Sequence, residues 1–324
     1  MDLLDPDTKE KIWRWDGFDS NLGNRNFVIH AILNTTFYGS DTRRLFAVNL
    51  ETGATKWKID TDWSIVSASN GALFYSSNES YYQPKAASLF KYDPVHDSHE
   101  VVFKIPAGGE WYNFLESCTS TYNENGEEIL YFIQAAYRYD PFGDKTILYC
   151  YNNDTDEVLW LYATDNPMAS SKPPIIDGDR VYFGTVHNMY CIEKATGALI
   201  WVEKRTRLDG YNSLYRLIDD KIIRISSEGY FKALNKMTGE VIYEHQYGTG
   251  YTDDMEYLNG RMYYADGSQL NIVDVATGER LYRWETKNKN VDEPAFINHV
   301  ALDPERGVMY VSDWYYINCI KIPD

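Results

Sequence analysis

The chain has 324 residues, 15% of them aromatic with 28 Tyr and 9 Trp, and a formal net charge of −17. Such acidity excludes nucleic acid and an anionic membrane surface as partners while suiting a basic protein or a cation, and the aromatic content favours sheet over helix. A chain of this length buries about three quarters of the surface that its unfolded form exposes, which suffices for one large domain.

Met1-Asp-Leu-Leu-Asp-Pro-Asp7 has neither a basic segment nor an apolar core of signal-peptide length. No apolar run approaches the span of a bilayer. As it stands the chain therefore reads as a soluble cytoplasmic protein, or as a periplasmic or extracellular one if a leader has been removed.

One strand–turn–strand unit recurs from end to end. Its pattern is a polar anchor, Thr three residues later, Gly four later and an aromatic eight later. Asp5, Thr8, Lys9 and Trp13 form the first copy, with Lys at the glycine place, and Asn49, Thr52, Gly53 and Trp57 the second. In the second, Leu45 to Asn49 and Ala54 to Ile59 read as strands. Asn49 can accept hydrogen bonds from N–H groups within the turn, and Gly53 supplies the positive φ that a tight hairpin needs.

The copy at Asp93 keeps little more than Leu89-Phe90 before it and Phe103 after it. Asn152, Thr155, Asp156 and Trp160 follow, then Glu193, Thr196, Gly197 and Trp201. Next come Asn235, Thr238, Gly239 and Tyr243, then Asp274, Thr277, Gly278 and Tyr282. Ile317 to Lys321 reads as the first strand of another copy. Spacings between successive anchors are 44, 44, 59, 41, 42, 39 and 47 residues, the length of propeller blades.

Two further strand-like runs precede most anchors, as in Phe27 to Ile32 with Thr36 to Ser40, so each repeat supplies a four-stranded blade. The sequence predicts an all-β chain, a seven-bladed β-propeller of four-stranded antiparallel blades forming a single domain over residues 1–324. Lys9 to Trp15 is expected to complete the C-terminal blade and close the ring. Eight blades would require Met1 to Asp5 to belong to a separate blade, and too few residues precede it.

The Ala-x-Asn/Asp-x-x-Thr-Gly-x-x-x-Trp pattern resembles the pyrroloquinoline-quinone (PQQ)-like β-propeller repeat, in which the terminal aromatic docks against the turn of a neighbouring repeat. The resemblance implies a fold more than an activity. Quinone-binding members place an adjacent cysteine pair over the cofactor and Glu, Asn and Asp oxygens around a calcium. This chain has no adjacent cysteines and no calcium loop of alternating oxygen ligands. PQQ and calcium are therefore not expected. Asp254, Asp292 and Glu293 are the carboxylates available as a catalytic base, and each also reads as a solvated loop acid.

Cys150, Cys191 and Cys319 occupy the repeat position of Ala47 and are expected as small core residues rather than ligands or disulfide partners. His30 and His299 fall in predicted innermost strands of the first and last blades. They are the candidates for a metal site, against the alternative that each fills space within its blade, since spacing identifies no third ligand.

Strand order brings the connections between blades, and those between second and third strands, to one face. The aromatic and acidic residues expected there are Trp63, Tyr81, Tyr82, Trp111, Tyr112, Tyr139, Tyr251, Asp253, Asp254, Asp292, Glu293, Trp314 and Tyr315. Aromatics supply contact area and acids attract a basic partner. The expected function is a non-enzymatic, monomeric scaffold or an inhibitor or immunity-type protein that binds another protein through this face. The alternative is a quinone- or metal-dependent oxidoreductase, or a carbohydrate or other small-ligand binder, using the central channel or the rim.

Overall fold

A computed structural model describes the chain apart from residues 1, 6, 9, 16–27, 42–43, 61–65, 79–86, 106–111, 140–141, 165–171, 186, 205–212, 227–228, 249–251, 253, 268, 286–295, 314–316 and 324. Every regular element among the described residues is a β-strand, and no helix is long and apolar enough to cross a membrane.

The strands β1 (Asp2–Leu4) and β2 (Lys11–Arg14) form an antiparallel hairpin. Blade one contains β3 (Val28–Leu33), β4 (Thr36–Asp41), β5 (Arg44–Asn49) and β6 (Thr55–Asp60). Blade two contains β7 (Val66–Ser69), β8 (Ala72–Asn78), β9 (Ala87–Asp93) and β10 (Ser98–Ile105). Blade three contains β11 (Tyr112–Tyr122), β12 (Glu128–Tyr139), β13 (Phe142–Asn152) and β14 (Glu157–Thr164). The hairpin and these blades belong to one compact unit, Met1–Asp165.

A second compact unit spans Asn166–Asp324. Its blade four contains β15 (Ile175–Asp177), β16 (Arg180–Gly184), β17 (Met189–Glu193) and β18 (Leu199–Glu203). Blade five contains β19 (Ser213–Ile218), β20 (Lys221–Ser226), β21 (Tyr230–Asn235) and β22 (Val241–Gln246). Blade six contains β23 (Glu256–Leu258), β24 (Arg261–Asp266), β25 (Gln269–Asp274) and β26 (Arg280–Glu285), and blade seven β27 (Phe296–Asp303), β28 (Val308–Asp313) and β29 (Ile317–Lys321). Sequential strands pair antiparallel within every blade. The fold is a seven-bladed β-propeller, as the repeat spacing predicts.

The repeated turns work as their residues dictate. Asn49 Oδ1 accepts from the backbone N–H groups of Glu51 and Thr52, both at 2.9 Å, and Asn235 Oδ1 accepts from Met237 at 2.8 Å and Thr238 at 3.2 Å. Gly53, Gly197, Gly239 and Gly278 take φ of 72°, 74°, 74° and 78°. Where glycine is replaced, Asp97 and Asp156 adopt φ of 50° and 58°, since Asp tolerates the left-handed region better than most residues with a side chain.

At three copies the closing aromatic packs on the glycine of the next turn. Trp13 lies on Gly53, Trp201 on Gly239 and Tyr243 on Gly278, so close that a Cβ on those glycines would stand 2.8, 2.6 and 2.5 Å from the ring. The ring's polar atom donates to the carbonyl just after the receiving anchor. Trp13 Nε1 reaches Leu50 O at 2.8 Å, Trp201 Nε1 reaches Lys236 O at 3.1 Å and Tyr243 Oη reaches Val275 O at 2.7 Å. In register with the rings stand small buried residues: Ala47 opposite Trp57, Cys150 opposite Trp160, Cys191 opposite Trp201 and Ala233 opposite Tyr243.

One expectation is corrected in detail, that of Cys319 below. The N-terminal strand β2 pairs with β1. The reason is local: Asp5 Oδ1 accepts from Asp7 N at 2.9 Å and Thr8 N at 2.8 Å, so the repeat turn gives β2 a neighbour within its own copy. Cys319 is exposed, unlike the buried Cys150 and Cys191, because β29 is the last strand of a three-stranded sheet.

Candidate functional site

Consecutive antiparallel strands place the blade-to-blade connections and the second-to-third-strand connections at one end of each blade, opposite the Thr-Gly turns. Among the described residues, blade three has the longest ladder between its second and third strands. Its β12 and β13 stay paired over 11 residue pairs, from Ile129 with Asn152 to Tyr139 with Phe142. The matching ladders run to 6 pairs in blade one and 5 in blade four. Every third strand ends at its anchor residue, so the extra pairs lie wholly at the loop end. Measured from the anchor, the ladder of blade three runs five pairs further than that of blade one, about 17 Å at about 3.4 Å per pair.

The innermost strand follows this extension. Tyr112 of β11 pairs with Tyr137, and a bulge between Leu115 and Cys118 adjusts the register. Side chains of blade two secure that bulge: Ser67 Oγ donates to Cys118 O and accepts from Cys118 N, both at 2.9 Å. Lys91 donates to Glu128 Oε2 at 2.6 Å, and Ser120 Oγ donates to Glu128 Oε1 at 2.8 Å. The hairpin therefore rises from a base that is cross-braced to its neighbour.

In the second unit, a buried ion cluster braces the loop end of blades four and five. Arg224 and Lys232 are cross-strand partners in β20 and β21, and Lys232 stands opposite Glu244 in β22. Two like charges side by side need an acid, and Glu203, the last residue of β18, supplies it. Glu203 Oε2 accepts from Arg224 at 3.2 Å and its Oε1 from Lys232 at 2.9 Å, while Arg224 also donates to Thr185 O at 2.9 Å. Burial pulls the Arg224 guanidinium down from its ordinary pKa, and the Glu203 carboxylate opposes that pull. The cluster anchors the end of β18 without presenting a free charge.

Of the predicted face, Trp63, Tyr81, Tyr82, Trp111, Tyr251, Asp253, Asp292, Glu293, Trp314 and Tyr315 lie outside the described residues. Tyr112 begins β11 and Tyr139 ends β12, so both belong to the extended part of blade three. Asp254 lies just before β23. Its Oδ1 accepts from Met255 N at 2.9 Å and stands 3.9 Å from Lys172 Nζ. Nearby, Arg216 donates to Met255 O at 2.7 Å and lies 3.5 Å from Glu256. Asp254 thus helps to shape the loop, a role that a lone acid in the sequence does not announce.

His30 and His299 lie at register shifts in β3 and β27, as bulged residues of innermost strands. Among the described residues no group of three or more His, Cys, Asp or Glu could hold a metal ion. The sequence marks Tyr137 to Thr146 as a long irregular insertion on this face, whereas the structure continues the β12–β13 ladder through it to Tyr139 with Phe142. The signal of this extension is the 59-residue spacing between the anchors Asp93 and Asn152, longer than any other.

Residues 143–209 match a family model described as outer membrane protein assembly factor BamB. No curated protein matches in sequence. Among solved structures, BamB from Moraxella catarrhalis is similar with 13% identity and a TM-score of 0.59, over 96% of this chain and 88% of that one. The computationally designed Ika8 protein is similar with 9% identity and a TM-score of 0.66, over 97% of this chain and 88% of that one. A europium-containing methanol dehydrogenase is similar with 11% identity and a TM-score of 0.64, over 95% of this chain and 77% of that one. The match over residues 143–209 and the fold of the chain support the PQQ-like β-propeller repeat family that the sequence pattern resembles.

Proposed function

We propose that this chain is a non-enzymatic β-propeller scaffold that binds a basic partner protein through the loop ends of its blades. The hairpin of blade three is its leading contact. The supporting observation is the ladder of 11 pairs between β12 and β13, which runs five pairs further from its anchor than the ladder of blade one. A recognition element on a rigid base is a common use of such a projection. The net charge of −17 favours a basic partner by steering its approach. The assembly-factor family whose model matches residues 143–209 agrees with a role in binding protein.

In this reading the chain is monomeric alone and uses neither quinone nor calcium. The test is to capture a partner from the source extract on immobilised protein, identify it, and titrate it against Trp111→Ala and the paired Asp253→Lys, Asp254→Lys variants. Weakened binding with an intact fold supports the reading, and unchanged binding removes these residues from the interface. Dye reduction by the purified protein with added PQQ and calcium would contradict the non-enzymatic part.

A further inference from the structure

The junction between blades five and six contains polar side chains that the protein leaves without partners. In blades one to four, the third-strand residue three before the anchor is a ring: Phe46, Phe90, Tyr149 and Tyr190. In blade five it is Lys232 opposite Arg224, and Glu203 of the preceding blade satisfies both. In blade six it is Asn271 opposite Tyr264. The residue of blade five that corresponds to Glu203 is His245, which stacks on Tyr247 at 5.5 Å rather than offering an acid.

Strand alternation puts Tyr264, Asp266, Gln269 and Asn271 on one face of blade six, since Tyr264 pairs with Asn271 and Asp266 with Gln269. Tyr264 and Asn271 are fully buried and Asp266 is 2% exposed. Tyr264 Oη, both Asp266 carboxylate oxygens, Gln269 Oε1 and Asn271 Nδ2 have no hydrogen-bond partner. Arg280 fixes the orientation of the amide: its Nη1 donates to Asn271 Oδ1 at 3.2 Å and to Tyr247 O at 2.8 Å, leaving Asn271 Nδ2 for the cluster.

We propose that ordered water, enclosed between blades five and six, completes this node by donating to Asp266 and Gln269 and accepting from Asn271 and Tyr264. The atoms left over require an occupant that both donates and accepts. A bare cation cannot accept from Asn271 Nδ2, and an apolar group can do neither. The backbone after β22 covers the carboxylate, since a Cβ on Gly248 would stand 2.0 Å from Asp266 Oδ2. Buried polar side chains without partners are what internal water binds, with about three hydrogen bonds each. Water here takes the part that Glu203 plays at the preceding junction.

Tyr264→Phe tests the proposal by the sign of its effect. A hydroxyl bonded to internal water is missed when removed, so the variant's melting temperature should fall below that of the wild type. A hydroxyl buried dry and unpaired is a burden, and an unchanged or raised melting temperature would overturn the proposal. A crystal structure of the wild-type protein gives the second measurement. Water at hydrogen-bonding distance from both Asp266 and Asn271 supports it. A metal ion on the carboxylate, or direct side-chain contacts that fill the node, would overturn it.

Discussion

Glycine and the ring resting on it divide the work at each docking turn, and two substitutions separate their contributions. Gly239 has φ of 74° with Trp201 against it, whereas Gly260 has φ of 79° and open space around its Cα. Gly260→Ala should cost only the left-handed penalty of about 1–2 kcal/mol. Gly239→Ala should cost clearly more, because the ring must also move. Equal losses in denaturant titration would show that the ring yields freely. Glu203→Gln should be more damaging still, at about 3–5 kcal/mol, since it removes the carboxylate from buried Arg224 while Lys232 keeps its ion pair with Glu244. A loss below about 1 kcal/mol would mean that water reaches the cluster.

Asp266 adds a dependence on pH. Burial raises its carboxyl from 3.8 to about 6, so the folded state holds the proton more tightly than the unfolded one. The stability it contributes is full below the unfolded value and is lost as pH rises through the folded value, up to about 3 kcal/mol. Hydrogen bonds from enclosed water reduce that figure without changing its sign. Asp266→Asn should flatten the stability profile across this interval. An unaltered slope would show that Asp266 does not titrate there.

At the scale of the strand and turn, the repeat explains what could be read in advance. Anchor, threonine, glycine and ring are all local choices, made by hydrogen bonding and backbone conformation within about ten residues. They place the third and fourth strands of nearly every blade. The pairing of β2 with β1 follows from the same rule, since Asp5, Thr8 and Trp13 belong to the first copy of the unit. The extended hairpin was legible only as a long insertion and an excess of spacing, since pairing continues or stops according to partners far along the chain.

The element scale also yields a contrast between two docked tryptophans. Trp201 Nε1 donates to Lys236 O, whereas Trp57 Nε1 is buried without a partner, its ring packed among Tyr38, Tyr92 and His99. Trp201→Phe should lose about 1 kcal/mol more than Trp57→Phe, the net worth of one hydrogen bond. Similar losses for both would show that ring volume alone decides docking. Truncating Trp57 to Ala should cost about 3–5 kcal/mol and leave partner binding intact in the folded fraction.

For the molecule as a whole, the repeats specify the fold, and the proposed recognition falls to the unrepeated segments. Most residues of the proposed face belong to connections, where neither a strand period nor a repeat restrains the sequence. Composition could indicate aromatics and acids there, but it could not indicate that one blade extends its own ladder outward. The charge of −17 should make association faster at low salt, with rates falling as ionic strength rises. A rate independent of salt would argue against a basic partner.

The central claim rests on the hairpin of blade three. Replacing residues 138–143 with Asn-Gly joins Tyr137 to Asp144 through a tight turn and removes the pairs Arg138 with Gly143 and Tyr139 with Phe142. The decisive measurement is the affinity of the identified partner for this shortened chain, by titration calorimetry beside the wild type. The account predicts a loss of at least about tenfold, or ~1.4 kcal/mol, with thermal stability unchanged. Undiminished affinity in a folded variant would contradict it.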